Sequence, residues 1–489
     1  MLRRVLEYFR AKPEPPTSAR GGFVRAAWDA ASTASEDRAH WGKTNHFSPR
    51  LDLTPGVRRT IVAKARYEAA NNANVRGMVE TFSNWVVGTG PRLQMTGPNA
   101  EANKRIEAAF SQWLRSARIG SKLRLMCRAG YVIDGEALAL AVTNRRLPTE
   151  VKLDLRPIEG DYLETPPAMS FADDVVDGVR IDEAGNPLSY FLYPRHPGDL
   201  LTISTFVPTE YDAAGVCHWF RRERPGQCRG VSQLASILKT VADLRRYSQA
   251  VLGAAETAAN IAAAIESQAP AGTTDEADAG AAFEEVELPR RGAVVLPFGT
   301  KLSQIKAEQP TQSYEGFRGA TLDESGRAVF LPSNLSRGNS SSYNFASGRL
   351  DHLDFWRVVR ICQQDLETDV LDWLLGLWLD EAALAMPGLL DGLGSVAAYP
   401  HRWLWTGYES INPVDDAQAF ASLFQVGAAT LSDWWGERGF DPAEKIAEWT
   451  REREAVAAAP VVAVAGGPGV TQPAKESKPT EPQAAGASS

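Results

Sequence analysis

Apolar residues recur at steps of three and four over a long proline-free stretch in the middle of the chain. The stretch covers residues 231–265 and follows a basic turn that contains Pro225, Gly226 and Gly230. This spacing predicts an α-helix with one apolar face, which would be roughly 50 Å long. The apolar positions are Val231, Leu234, Leu238, Val241, Leu244, Tyr247 and Val251.

The same spacing predicts further helices on both sides of this stretch. Thr54 and Pro55 fit an N-cap and a first helical residue, and an almost uninterrupted helical pattern covers residues 62–87. The run Gly88-Thr89-Gly90-Pro91 would end that pattern. The other predicted helices cover residues 101–114, 123–131, 349–385, 413–435 and 442–456.

Short β-prone runs predict strands between these helices. The clearest pattern is a hairpin over residues 178–193, with turn residues from Asp182 to Pro187 and the turn itself near Gly185. The other predicted strands cover residues 92–95, 137–142, 151–155, 201–206 and 216–220.

Several segments have too few large apolar residues to build a core. The arm over residues 1–50 is polar and rich in proline, although Trp28 and Trp41 could anchor it to a neighbour. Residues 268–281 and 333–348 read as loops, and residues 459–489 read as a disordered tail.

Composition narrows the class of function. The net charge of −8 gives no general attraction for nucleic acid, so any DNA contact would be local. The four cysteines form no CxxC pair, which favours a reduced cytosolic protein with free thiols. No apolar run is long enough for a membrane span, and the first residues do not resemble a secretory signal.

Motifs for catalysis are weak throughout the chain. Gly88-Thr89-Gly90-Pro91 follows a helix and lacks a lysine, so a helix cap explains it better than a phosphate loop. Asp134 and Glu136 could form an acid–base pair, but a turn and a strand start explain them more simply because no His or Lys partner is suggested nearby.

Metal and nucleophile patterns are equally weak. The six histidines show no zinc spacing, and no GxSxG motif accompanies the serines at 340–342. The acidic residues Asp351 and Asp354 fit a solvated helix surface. The absence of a catalytic motif favours a protein that builds a structure over one that converts a substrate.

Several motifs, taken in order along residues 51–453, resemble the lambda-type portal proteins of tailed bacteriophages. The most specific is HWFRRERPGQCRG, which begins at His218. The segment SYNFASGRL resembles an Asn/Tyr/Ser-rich block of the family, from which Phe345 and Ala346 depart. The other matching segments are NNANVRGMVETFSNWVVGTG, GYVIDGEAL, GVRIDEAGNPLSYFLY, and Asp433 to Glu437 with Gly439 and Asp441.

The resemblance implies a homo-oligomeric ring, with twelve subunits, at one vertex of a virion capsid. Double-stranded DNA would pass non-specifically through its channel during packaging and ejection. It also implies as partners the terminase large subunit, the major capsid and scaffold proteins, and the neck or head-completion proteins. Assembly in the bacterial host cytoplasm follows, without a membrane, a cofactor, a metal or a catalytic residue.

The expected fold is of the α+β class, with wing, stem, clip and crown regions. We expect the arginines after the 216–220 strand to bind neighbouring subunits rather than DNA. The expected assembly residues are Arg222, Arg224, Pro225, Gly226, Gly230, Tyr343, Asn344 and Arg349. The expected regions are an N-terminal arm (1–50), a wing-like α+β region (51–174), a β-rich clip-like region (175–230), a stem helix (231–267), a loop with a wing-like β segment (268–348), a helical crown-side region (349–456) and a tail (457–489).

Two alternatives remain open at this point. Another head–tail connector or a minor capsid protein would also be structural, but such proteins are typically shorter and lack a pair of long helices. A DNA-processing hydrolase would show a metal- or nucleotide-dependent activity that is abolished by changing Asp134, Glu136 or Asp351.

Overall fold

The computed structural model describes residues 46–199, 207–260, 264–267, 300–303, 313–341, 343–391, 399–407 and 412–458. Most of the predicted N-terminal arm, the loop 268–281, the strand 201–206 and the tail from residue 459 lie outside these ranges. None of the helices in these ranges is both long enough and apolar enough to cross a membrane.

The described residues combine helices and sheets, in agreement with the predicted α+β class. Two helical runs contain π-helical segments: π1 (Met126–Asp134) ends the first run, and π2 (Glu367–Leu371) lies in the middle of the second. The α-helices are α1 (Pro49–Asp52), α2 (Pro55–Asn71), α3 (Ala73–Val87), α4 (Ala100–Ser116), α5 (Ile119–Leu125), α6 (Leu238–Asn260), α7 (Ser313–Arg327), α8 (Ser333–Arg337), α9 (Phe345–Leu366), α10 (Asp372–Ala385), α11 (Pro413–Gln425), α12 (Leu431–Glu437) and α13 (Pro442–Ala458).

The strands form small antiparallel sheets. A three-stranded sheet has the order β3-β2-β8, and a four-stranded sheet has the order β4-β5-β6-β7. Two further pairs join β1 to β11 and β9 to β10. The strands are β1 (Arg92–Met95), β2 (Glu136–Thr143), β3 (Leu153–Ile158), β4 (Val175–Val176), β5 (Val179–Ile181), β6 (Pro187–Leu192), β7 (Thr209–Asp212), β8 (Val216–Phe220), β9 (Ala264–Ser267), β10 (Thr300–Ser303) and β11 (His401–Leu404).

Two apolar clusters stabilise these elements. The larger one packs α3, α4 and π1 against α9 and α10, and in it Phe110 meets Trp378 edge-on with ring centroids 5.1 Å apart. The smaller one includes Leu138 of β2 together with Leu163 and Tyr190, and it joins the three-stranded sheet to the four-stranded sheet. Strand β2 contributes Ala137 and Ala139 to the larger cluster and Leu138 to the smaller one. Its first residue, Glu136, therefore lies next to both clusters.

The long central helix is shorter than its pattern predicts. It begins at Leu238 rather than Val231, because residues 231–237 form turns against π1. Gln233 N–H donates to the Val132 carbonyl at 3.1 Å, which holds this turn outside the helix. At the other end, Ile265 lies in β9 and pairs with Leu302, so the helical prediction is also wrong there.

Two other helical predictions are divided by local caps. The pattern over 62–87 forms α2 and α3, because Asn72 leaves the helical conformation and its side chain accepts from Asn74 N–H. The pattern over 413–435 forms α11 and α12, separated by Gly427 with a φ of 72° and by a capping box between Thr430 and Asp433. In both cases the cap satisfies amide groups that a helix start leaves open.

Several local predictions are confirmed. Thr54 caps α2, the hairpin turns at Gly185 with a φ of 87°, and β1 and β8 have the predicted bounds. The predicted helix over 349–385 is present as α9, π2 and α10. The pairing of β1 with β11 was not foreseen, because these strands are about three hundred residues apart.

Candidate functional site

A buried ion network surrounds Glu136, the first residue of β2. The Glu136 carboxylate accepts from Arg229 Nε at 2.8 Å and from the Gly230 amide at 3.0 Å. His218 Nε2 lies 3.1 Å from the same carboxylate, and Arg58 Nη1 lies 3.7 Å from it. The side chains of Glu136 and of its three partners Arg58, His218 and Arg229 are each at least 96% buried. The network therefore connects α2, β2, β8 and the turn before α6.

Asp177 is the second anion of the network. Arg58 Nε donates to its carboxylate at 2.9 Å, and Arg229 Nη1 lies 3.1 Å from the same oxygen. Asp177 adopts a positive φ of 45° between β4 and β5, a conformation that costs free energy for a residue other than glycine. Two guanidinium groups thus face two carboxylates, and the charges of this group balance.

The surroundings shift the pKa values in the direction of a stable ion pair. Burial alone would raise the pKa of Glu136, but the charge and hydrogen bonds of Arg229, together with His218, lower it well below the usual range. Burial lowers the pKa of His218, although Glu136 opposes that effect. At neutral pH the network therefore contains ionised Glu136 and Arg229 with a neutral imidazole.

A second charged cluster begins two residues earlier, at Asp134. Arg66 forms a bidentate pair with Asp134 at 2.8 and 2.6 Å and also contacts Glu159 and Asp161. Burial raises the pKa of Asp134 to about 6; Arg66 opposes this shift, and the two neighbouring carboxylates add to it. Three carboxylates therefore share one guanidinium.

The second cluster contains the only group of possible metal ligands found among the described residues. Ligand atoms of Glu159, Asp161 and His196 lie within 4.8 Å of one another. Arg66 already places positive charge 2.8 Å from Asp161 and 3.1 Å from Glu159. This guanidinium supplies the charge that a cation would otherwise bring.

The predicted assembly arginines have different surroundings. Arg222 lies over the Phe220 ring, 4.8 Å from its centroid, and its charge partly offsets the rise that burial causes in the pKa of Asp369. Arg224 is half exposed, pairs with Asp52 at 3.0 Å and donates to the Phe47 carbonyl at 2.8 Å. Both side chains thus already have partners within the chain.

The glycines beside these arginines differ in their packing. Gly226, next to Pro225, adopts a φ of 79° in an open turn. A Cβ added at Gly230 would lie 2.0 Å from the Gly135 carbonyl oxygen. Gly230 is therefore required by close backbone packing at the ion network, whereas Gly226 is required only by its turn.

The remaining predicted site residues lie at the start of α9. Asn344 caps this helix by accepting from Ser347 N–H at 2.8 Å, and Tyr343 donates to Asp351 at 2.8 Å. Arg349 pairs with Asp416 of α11 at 3.4 Å. Among the described residues, the ion-pair and hydrogen-bond partners of this group are different from those of Arg222 and Arg224, so the structure shows two separate groups.

The central role of Glu136 was not predicted from the sequence. The sequence favours a turn and a strand start for Asp134 and Glu136, because it suggests no His or Lys partner nearby. That reason was wrong, since His218 lies beside Glu136 once β8 pairs with β2. Arg229, in the basic turn before the long helix, was not among the predicted assembly residues, and it is buried beside Glu136. The signal available in the sequence was a carboxylate at the start of the apolar run 137–142.

Comparisons with known proteins identify the family of the chain. The model of the family "phage portal protein, lambda family" matches residues 36–363. A probable portal protein of Halomonas phage phiHAP-1 is 26% identical over 323 residues, which cover 63% of this chain and 61% of that protein. The portal protein of Escherichia phage N15 is 20% identical over 439 residues, covering 80% of this chain and 83% of that protein.

A solved structure is also similar. The neck of a native gene transfer agent particle, computed with C12 symmetry, contains a chain that matches with a TM-score of 0.44 and 14% identity. The match covers 78% of this chain and 91% of that one. The family model spans well over half of the sequence. The chain therefore belongs to the lambda family of phage portal proteins.

Proposed function

We propose that this chain is the subunit of a portal ring at one vertex of a phage capsid. The observation that carries the proposal is the family match over residues 36–363, which includes the whole Glu136 network. Twelve copies would surround a channel through which double-stranded DNA is packaged and ejected. The ring would also bind the terminase large subunit, the major capsid and scaffold proteins, and later the neck proteins.

The exposed surface supports assembly with further copies. Helix α9 packs Phe355 and Val359 into the core, while its opposite face exposes large apolar residues between charged ones. Such residues are costly to leave in water, and clustered examples often mark interfaces. The exposed aliphatic side chains described in α6, α9 and α10, which are 47% to 86% exposed, are Leu252, Leu350, Leu353, Ile361 and Leu384.

The ion network would give each subunit a fixed joint. It connects the two sheets to α2 and to the turn that leads into α6. Because breaking a buried pair leaves an uncompensated charge, this joint resists bending. We assign α6 to the stem, the four-stranded sheet to the clip and α9 to α13 to the crown side. The role of the ring would be structural, without a catalytic step.

Mass photometry of the purified full chain tests the proposal. Twelve subunits of 53.2 kDa give a closed ring of about 640 kDa. An Ile361→Asp variant should reduce the ring population, whereas Gln112→Asp, at an exposed position of α4, should not. A wild-type sample that remains at the monomer mass under all conditions would overturn the proposal.

A further inference from the structure

A cationic pocket lies where the end of α3 meets the turn between α4 and α5. Its volume is about 380 Å³, and four arginines line it: Arg92, Arg115, Arg118 and Arg124. No acidic residue is present among the described residues that line it. The pocket is separate from the Glu136 network, with which it shares no residue.

The charges of this pocket are largely uncompensated. Arg92 pairs with Glu444 at 3.2 Å, and Arg124 donates to the Gly88 carbonyl at 2.8 Å. In the part of the chain that the structure describes, no ion pair within 4.0 Å involves Arg115, Arg118 or Arg124. Arg115 and Arg118 are exposed to solvent, which screens their mutual repulsion, and an anion in the cavity would face several positive charges at once.

One of these arginines, Arg118, has a strained backbone. Arg118 adopts a φ of 54° and a ψ of 38°, the left-handed conformation that residues with a Cβ rarely occupy. Its N–H donates to the Arg115 carbonyl at 3.1 Å, so the turn fixes both residues together. Backbone strain of this kind is frequent at ligand-binding positions.

Thr89, Gly90 and Pro91, which follow the helix cap Gly88, form the opposite wall of the pocket. Gly88 N–H donates to the Asn84 carbonyl at 2.9 Å, which confirms the predicted helix cap. A Cβ added at Gly120 would lie 3.3 Å from the Thr89 carbonyl oxygen, so glycine permits the two walls to approach. The positive charge therefore comes from side chains, in contrast to the backbone amides of a phosphate loop.

We propose that this pocket binds a phosphate group, with Arg115 and Arg118 as its principal ligands. Guanidinium groups match phosphate oxygens with two parallel hydrogen bonds. The hydroxyl groups of Thr89, Ser111 and Ser121 also line the pocket. Donors on several walls suit a tetrahedral anion better than a planar carboxylate, which offers only two oxygens. The phosphate could belong to a nucleic-acid backbone or to a free small molecule.

Calorimetric titration of the full chain with inorganic phosphate tests this proposal. We expect a dissociation constant of about 1 mM and a loss of about tenfold or more when Arg115→Gln and Arg118→Gln are combined. The matched control combines Arg145→Gln and Arg146→Gln, two exposed arginines in the β2–β3 loop. The control should bind phosphate like the wild type.

A second titration distinguishes the two sources of phosphate. A short single-stranded oligonucleotide that binds and is displaced by phosphate would assign the site to nucleic acid. Phosphate binding without oligonucleotide binding would assign it to a free phosphate compound. Both outcomes support the pocket as a phosphate site.

Four results would overturn the proposal. The first is no binding at a phosphate concentration about ten times the expected dissociation constant, and the second is an equal loss of phosphate affinity in the Arg145→Gln, Arg146→Gln control. The third is a polyglutamate peptide that binds more tightly than phosphate. The fourth is a failure to form rings that affects only the Arg115→Gln, Arg118→Gln protein. The last result would assign these arginines to a contact between copies. Ring formation with unchanged mass but lost phosphate binding would support the pocket and leave the proposed portal role intact.

Discussion

Replacing Arg229 with methionine leaves Glu136 and Asp177 facing each other with only Arg58 to balance them. Arg229 is 3% exposed and bonds to both carboxylates and to the Gly160 carbonyl. Removing one partner of a buried ion pair costs about 3–5 kcal/mol, because the remaining charge stays buried without compensation. We expect Arg229→Met to lower the free energy of unfolding by an amount in this range.

A matched variant separates burial from the loss of an arginine. Arg224 also forms an ion pair, with Asp52, but both side chains are 47% exposed. Exposed pairs contribute about 0–1 kcal/mol, so Arg224→Met should change the free energy of unfolding by no more than that. Combining Glu136→Gln with Arg229→Met should cost less than the sum of the single changes, because Arg58 and Asp177 then balance.

Urea denaturation measures these differences. Tryptophan fluorescence reports on the region around the Glu136 network, since Trp219 of β8 stacks on Tyr131 with ring centroids 4.3 Å apart. All variants should be compared in the same assembly state, because association adds to the measured stability. Equal denaturation midpoints for Arg229→Met and Arg224→Met would refute the idea that the buried network stabilises the joint.

Three further predictions follow from the same geometry. Gly230→Ala should lower the free energy of unfolding by about 1–3 kcal/mol, because the added Cβ would lie 2.0 Å from the Gly135 carbonyl oxygen. Gly215 lies in open space, so Gly215→Ala should be close to neutral in a thermal melt. Burial raises the pKa of Asp134 to about 6, so its ionisation should remove stability as pH rises from about 4 to 6. Glu136, whose pKa is lowered, contributes in the opposite direction over part of this range. The unfolding free energy of the wild type minus that of Asp134→Asn should therefore decrease as pH rises from about 4 to 6, and a difference that does not depend on pH would contradict this. Charge reversal of both Arg222 and Arg224 to glutamate should disrupt ring assembly in size-exclusion chromatography, and intact rings with altered DNA passage would contradict that role.

Local patterns predicted most helices and strands but not every boundary. The cap at Thr54, the end of α3 at Gly88 and the hairpin turn at Gly185 depend on residues close in sequence. The start of α6 was wrong because residues 231–237 contact π1, about a hundred residues earlier in the chain. Periodicity shows which face of a helix is apolar. It does not show which distant segment will take the backbone hydrogen bonds that would otherwise extend the helix.

The candidate site was less predictable for the same physical reason. Glu136, His218 and Arg229 come together only when β8 pairs with β2 and the following turn folds back. Arg58 and Asp177 join them from two further segments. The sequence also predicted a loop over 333–348, whereas the structure begins α9 at Phe345 with Asn344 as its cap, and α8 lies within the predicted loop. No local pattern specifies a network assembled from five separate segments.

Electron microscopy of the purified full chain tests the central claim most directly. Views along the ring axis should show a closed ring with twelve equivalent subunits and a central opening that admits a DNA duplex. A closed symmetric ring is the assembly that a portal role requires. Particles without an opening, or a chain that remains monomeric in every condition, would contradict the account.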